Sequence, residues 1–494
     1  LLAVSALLPG LHLQASQKKS QPIGLDPLNP HYFTYQGETI VLISSGEHYG
    51  AVLNADFDFL RYLSTLESEG LNYTRLFGGA YVEVPTKSFG ILRNDLAPQP
   101  GRLIAPWARS SVAGYAGGGN KFDLSQWNPE YFDRLRSFLS EAEKRGIVVE
   151  ITLFSSHYGE AQWAISPFNR ANNINQTAAI DWQKANTLEN GSTLAWQEKY
   201  ARKLVHEAGA FPNVIFEIQN EPWSDRPVLS GVVNPYLLPP SRDQFPNNID
   251  LPDPLALAFE ARVAEWIQSE EASSPRKHLI AQNYCDFGLP VSELIPGISI
   301  VNFHYAYPEA AAANYGLGKA IAYDETGFLG QSDASYLRQA WNFMLSGGST
   351  FGALDYSFTV GHEDGTDIAS NGPGGGSPTL RKQLGFLVRF LRNLPLAELA
   401  PDVHTVRHAG GTYARVLSGA NLYAIYLDGV GPDGRIEVTL ELPPGRYFEE
   451  WVDPTSGATV QIENFDHAGG EKKLLTPKFQ NGMALHLNKS KNSR

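Results

Sequence analysis

The sequence predicts an α/β fold, a (β/α)8 TIM barrel followed by a small C-terminal antiparallel β-sandwich. Three observations lead there. From residue 38 onward, short β-branched runs alternate with amphipathic helical stretches over roughly 350 residues. Eight such runs are present, and several stop abruptly at polar or acidic residues. After about residue 395 the helical pattern ends, and short alternating runs separated by Gly, Pro and Asp turns take over.

The strand-like runs cover residues 39–44, 72–77, 148–154, 214–219, 278–283, 299–304, 319–324 and 350–356. Helical periodicity fills 56–69, 129–145, 194–208, 255–270, 336–345 and 379–394. A doubly wound open sheet is the rival architecture, but it uses fewer units, and this chain has no Gly-rich phosphate loop. The segment from His31 to Gly37 reads as a small hairpin placed to close the barrel floor. Residues 21–396 are therefore expected to form the barrel and 397–494 the sandwich, whose Tyr447, Phe448 and Trp451 fit its own core and a supporting role.

Residues 1–20 contain an apolar stretch ending near Ala15 that resembles a secretory leader, so a secreted or periplasmic location is expected. That stretch is too short to span a bilayer, and no later segment is apolar enough, so no membrane insertion is expected. In 494 residues, 43% are hydrophobic and 18% charged, an ordinary globular balance. The net charge of -13 argues against nucleic acid as a partner, since a polyanion would be repelled. A single cysteine, Cys285, excludes an internal disulfide and any multi-cysteine metal site; it reads as a core filler.

Active sites of such barrels lie at the C-terminal ends of the strands. The fourth run ends in Asn220-Glu221-Pro222-Trp223 and the seventh in Asp324-Glu325-Thr326-Gly327. A lone Glu at a strand end more often caps a loop or pairs with Arg. Two of them, at strands on opposite sides of one barrel mouth, are what glycosidic bond cleavage requires. One carboxyl protonates the departing oxygen, and the other attacks the anomeric carbon or activates water. A separation near about 5–5.5 Å would match retaining enzymes.

On these residues the chain resembles clan A glycoside hydrolases, most closely glycoside hydrolase family five, over about residues 30–394. The resemblance implies Glu221 as acid/base, Glu325 as nucleophile and Asn220 as a contact to the substrate 2-hydroxyl. Gly70-x-Asn72-x-x-Arg75 is similar to the family's strand-two motif and implies that Arg75 bonds Glu325 and keeps it ionised. His157 and His304 match substrate-binding histidines after strands three and six. The tyrosine expected two places after the second His is Ala306, so Tyr305 or Tyr307 is left to reach the nucleophile, with Tyr305 preferred. At strand eight the family's Trp is replaced by Leu354-Asp355-Tyr356, where Asp355 would bond sugar hydroxyls and Tyr356 would stack.

Other residues carry weaker expectations. Trp223, Trp107 and Trp163 are candidate stacking platforms, and Glu47 and His48 add to the mouth at strand one. Asn283 closes strand five in a similar way, and the stretch 224–254 is expected to wall the cleft. Asp324 should point away from Glu325 by alternation and is read as structural. The acidic run from His362 to Asp367 lacks the ligand spacing of a calcium loop and reads as solvated. The expected reaction needs neither metal nor organic cofactor, and its substrate is a β-linked oligo- or polysaccharide. A non-catalytic carbohydrate-binding protein on the same scaffold is the alternative, and loss of one carboxylate would mark it.

Overall fold

The computed structural model describes residues 21–85, 88–233, 248–368, 371–429 and 434–490. The leader at 1–20 and the middle of the 224–254 stretch lie outside the described residues. Eight parallel strands form one sheet: β1 (Leu42–Gly46), β2 (Tyr73–Phe77), β3 (Val148–Ser155), β4 (Val214–Asn220), β5 (Leu279–Asp286), β6 (Ile300–His304), β7 (Ala320–Glu325) and β8 (Thr350–Leu354). From β2 to β8 each pairs with its sequence neighbour, and β8 pairs with β1, so the ladder is open only between β1 and β2. Between β1 and β2 the Asn72 side chain completes the ring. Its amide accepts from Ile43 N at 2.9 Å and donates to Val41 O at 2.8 Å. The chain is thus a TIM barrel with further antiparallel sheets at its C-terminus.

The strands are buried on both faces and read as continuous apolar runs. The first begins later than its pattern predicts, because Thr39 and Ile40 are taken by the floor. There Gly24–Leu25, Phe33–Tyr35 and Glu38–Ile40 form a three-stranded antiparallel sheet. Ile23, Phe33 and Tyr35 plug the barrel bottom against Leu42, Tyr73, Val148, Ile215 and Ala320.

Among the described residues these helices lie outside the barrel: α1 (Phe59–Glu69), α2 (Pro129–Lys144), α3 (Thr193–Ala208), α4 (Pro254–Glu270), α5 (Glu309–Asn314), α6 (Asp333–Met344) and α7 (Pro378–Arg392), with a short further one at Glu160–Ile165 between β3 and α3. Three of them start at a capping side chain followed by proline: Asn128-Pro129, Asp253-Pro254 and Ser377-Pro378. The cap satisfies free N–H groups, and the proline lacks the one that would be left over. The β5–β6 connection carries no helix; its 287–299 stretch is short and broken by Pro290 and Pro296.

Beyond α7, a six-stranded and a three-stranded antiparallel sheet face each other. Tyr447 and Trp451 are buried in the core between them, and Phe448 is half-buried. The six-stranded sheet docks on α6, where Tyr426 stacks on Trp341 at 5.4 Å and Arg338 pairs with Asp428 at 2.7 Å. This contact suits a supporting module. Among the described residues no helix is long and apolar enough to cross a membrane.

Candidate active site

The strand tips converge on a cavity of about 180 Å³, lined among others by Tyr49, Tyr158, Asn220, Glu221, Trp223, Tyr305, Glu325 and Leu354. The C-terminal ends of β4 and β7 bring Glu221 and Glu325 face to face. One ligand-type atom from each of Glu221, His304 and Glu325 lies within 4.8 Å of the others. Both carboxylates are nearly dry, with Glu221 8% and Glu325 6% exposed.

Every oxygen of the pair is held. Glu325 Oε2 accepts from Tyr49 Oη at 2.8 Å and Arg75 Nη1 at 3.0 Å, and its Oε1 accepts from Tyr305 Oη at 2.8 Å. Glu221 Oε1 pairs with His304 Nδ1 at 2.8 Å, while Oε2 accepts from Tyr158 Oη at 2.9 Å and Ser224 Oγ at 3.2 Å. The Glu221 backbone is pinned as well: its N–H donates to Asn283 Oδ1 at 2.8 Å and its carbonyl accepts from Ser156 Oγ at 2.6 Å.

Beneath the pair lies a layer of buried charge. Arg75 donates to Glu217 from Nε at 2.9 Å and Nη2 at 2.6 Å, to Asn220 Oδ1 at 2.7 Å and to Glu325. Asp324 stands 3.4 Å from Arg75 and accepts from Asn302 Nδ2 at 3.0 Å. Asn302 Nδ2 also reaches Glu150 at 2.9 Å, and Glu150 in turn accepts from Tyr73. Burial, reinforced by Glu217 and Asp324, pushes the Glu150 carboxyl up to about 8. Glu217 is raised by burial although Arg75 pulls against it. Burial opposes a charged His304, yet Glu325 and Asp324 overcome it and place its pKa well above the usual imidazole range. Burial likewise opposes an ionised Glu221, but the His304 hydrogen bond and charge outweigh it and lower the Glu221 pKa. Atoms of Glu217, His304 and Asp324 also lie within 4.8 Å of one another. Arg75 and the protonated His304 are the cations that the fold itself supplies to this layer.

Five residues at the site have positive φ: Tyr49 at 59°, Phe89 at 52°, Tyr158 at 57°, Glu221 at 45° and Tyr305 at 51°. Non-glycine residues pay for this conformation, and such strain gathers where side chains must be re-aimed at a site.

The structure brings Arg75, Asn220, Glu221, Trp223, His304, Tyr305 and Glu325 together at or just beneath the cavity. Trp223 lies edge-on to His304, with centroids 5.7 Å apart. His157 departs from its expected role. Its ring packs against Trp163 at 4.9 Å, its backbone N–H is held by Asp225, and burial lowers its pKa to about 3. The left-handed turn at Tyr158 puts the neighbouring tyrosine at the cavity instead, where Asn220 Nδ2 also donates to it at 2.6 Å.

Asp355 departs too. Its carboxylate is drawn away by Arg381 Nη1 at 2.7 Å and Ser45 Oγ at 2.9 Å. Tyr356 is buried behind the cavity wall under Gly372 and Gly374, and Leu354 takes the lining position. Asp324 points inward rather than outward, because the ladder slips between Phe303 and His304 and pairs His304 with Glu325. Trp107 is core, packed on Phe168 and Tyr200. Glu47 caps the backbone N–H groups of Gly50 and Ala51, whereas His48 lines the cavity and pairs with Glu83 at 3.2 Å. In the 362–367 run, Glu363 accepts from Gly361 N at 2.9 Å, Asp364 pairs with Arg61, and Asp367 pairs with Arg93 at 2.8 Å.

The sequence reading missed Tyr49, Tyr158 and Glu217. Glu217 carries a faint signal, a lone acid inside an apolar strand two residues from a position that must face inward. The tyrosines carry none beyond their place three residues past a strand end.

No known family profile matches the chain, and no curated protein matches it. Solved structures do. One titled "Glycoside hydrolase" superposes with a TM-score of 0.60 at 12% identity, covering 95% of this chain and 97% of that one. A putative glycoside hydrolase from Bacteroides vulgatus ATCC 8482 gives 0.62 at 12% identity, over 96% and 83%. A glycoside hydrolase family 5 structure from the same organism gives 0.61 at 11% identity, over 95% and 93%. What this chain shares with these glycoside hydrolase structures, at such low identity, is the fold of nearly its whole length, barrel and C-terminal sheets together.

Proposed function

We propose that this chain is a retaining glycoside hydrolase that cleaves β-linked bonds of an oligo- or polysaccharide by double displacement. The observation that carries the reading is the Glu221–Glu325 pair, with one oxygen of each within 4.8 Å and every oxygen anchored. A closest approach within 4.8 Å fits the about 5–5.5 Å of retaining enzymes better than the about 6.5–9.5 Å that inversion uses to admit a water, and so favours direct attack.

Glu325, facing Arg75, Tyr49 and Tyr305, attacks the anomeric carbon. Glu221 and His304 share one proton along their 2.8 Å hydrogen bond. While Glu325 is ionised its charge holds that proton on His304; as Glu325 loses charge to the new ester bond, the proton passes through Glu221 to the leaving oxygen. The glycosyl-enzyme then faces an ionised Glu221, which takes a proton from water as the water attacks the same carbon. Asn220, fixed by Arg75 and Tyr158, is placed to bond the sugar 2-hydroxyl. The aromatic walls suit the flat faces of sugar rings.

The test is a screen of nitrophenyl glycosides and polysaccharides, with Glu325→Ala as blank. Each of Glu325→Ala and Glu221→Ala is expected to lose at least a thousandfold in kcat/KM, and product NMR to show retained anomeric configuration. Near wild-type activity in either variant removes that residue from its role, and an inverted product rejects the double displacement.

A further inference from the structure

Beside Glu221, whose charge reaches both, two aspartates line the cavity. Asp286 ends β5 beside His304, its register partner on β6. Asp250 lies on the short strand Asn248–Pro252 of the insertion between β4 and α4. The Asp250 N–H donates to Asp286 Oδ1 at 2.7 Å, which fixes the two residues side by side. Asp250 is only 9% exposed, and its Oδ1 is buried without a hydrogen-bond partner.

Among the described residues neither aspartate has an ion-pair partner. The nearby Arg226 is taken by Asp253 at 2.5 Å. The other end of the cavity differs, because there Glu83 has His48, Asn94 and Tyr81 as partners. Burial pushes Asp286 up to about 8, with Asp250 and Glu221 adding to the effect, and burial and Glu221 raise Asp250 in the same sense.

Two carboxyls set side by side in a dry wall next to a third, Glu221, resist ionising for want of a cation in contact. Sugar hydroxyls donate hydrogen bonds but bring no charge that would let the pair ionise. An ammonium group supplies both donors and charge, and charge-assisted hydrogen bonds are about twice as strong as neutral ones. Position fixes the subsite: the groups adjoin the residue assigned to the leaving oxygen, so what they meet is the leaving-group sugar.

Resting on the glycosidase reading, we propose that Asp250 and Asp286 bind the free amino group of an amino sugar, so that the leaving-group side of the cleft selects cationic over neutral or N-acylated oligosaccharides. The amino group stays protonated and no bond to it changes; it is a handle for recognition.

The experiment is calorimetric titration of the whole chain with β-1,4-linked trimers of glucosamine, N-acetylglucosamine and glucose, in wild type and in Asp250→Asn/Asp286→Asn. The glucosamine trimer is expected to bind at least about tenfold more tightly than either neutral trimer, equivalent to about 1.4 kcal/mol, and the double variant to bring the three together. Equal affinities in wild type overturn the proposal without recourse to any variant, as does a preference that survives both substitutions. Binding preference and turnover are read separately. Selective glucosamine binding by a chain that hydrolyses nothing in the glycoside screen would keep the subsite and remove the glycosidase reading; turnover of neutral substrates without amine preference would do the reverse.

Discussion

Arg75→Met removes from a buried layer the guanidinium that pairs with three carboxylates. Arg75 pairs with Glu217 at 2.6 Å, Glu325 at 3.0 Å and Asp324 at 3.4 Å, and the three acidic side chains are 0%, 8% and 0% exposed. Deleting one partner of a buried ion pair costs about 3–5 kcal/mol; here the acids lose their close cation in a dry layer, and Asp324 and Glu325 keep only His304 among the described residues, 3.6 Å from each. Met fills much of the volume, so the loss measures charge rather than a cavity. The three acids escape part of the cost by binding protons, which raises their folded-state pKa values above the unfolded ones. Stability gained by protonation is present below the unfolded pKa and lost as pH rises through the folded one. The deficit of the variant against wild type should therefore be smaller at pH 5 and larger at pH 8. Urea unfolding followed by tryptophan fluorescence at both pH values reads it directly. A deficit under about 1 kcal/mol at pH 7, set against the 3–5 expected for a broken buried pair, or one that shrinks toward pH 8, would refute the reasoning.

Two further predictions follow from the same layer and its neighbours. Tyr305→Phe and Tyr49→Phe each take one 2.8 Å donor from Glu325; hydrogen bonds to charged groups are worth about 1.5–3 kcal/mol, so each variant should lose about tenfold or more in kcat/KM, with the acidic limb of the pH profile displaced upward, while Tyr307→Phe stays near wild type. An unmoved acidic limb in both variants would mean that these hydroxyls do not hold the nucleophile's charge. The wild-type chain itself should be more stable at pH 5 than at pH 8.5: burial raises Glu150 and Asp286 to about 8 and Glu47 and Asp225 to about 7, so the folded state keeps protons that the unfolded chain sheds above about pH 4. Each such proton tilts stability downward with pH by up to about 1.4 kcal/mol per unit, and a thermal midpoint that rises between pH 5 and pH 8.5 would contradict this.

The two carboxyl positions were legible because a parallel barrel strand is apolar until it leaves the sheet, so the residue at which the run stops is the residue at the mouth. Asn220-Glu221 and Glu325 announce themselves in that way, and Arg75 follows from its place two residues inside β2. Helix starts were equally plain, since a capping side chain followed by proline acts within one turn. The alternation rule that carried these readings fails where the ladder ends or slips.

At the tips of β1 and β3 the left-handed bends turn Tyr49 and Tyr158 into the cavity, and Glu47 and His157 become framework. In β7 a register slip puts Asp324 and Glu325 into the same interior. Asp355 was claimed by Arg381, twenty-six residues further along the chain, and the facing of Asp250 and Asp286 joins an insertion to a barrel strand thirty-six residues away. What the sequence by itself determined is therefore the local part, the periodicity, the caps and the polar stops, since each depends on neighbours within a turn or a strand. The tertiary structure alone decided which carboxylates find a cation and which are left to wait for a ligand, because a buried charge is settled by whatever side chain the fold brings within a few ångströms, and sequence distance says nothing about that.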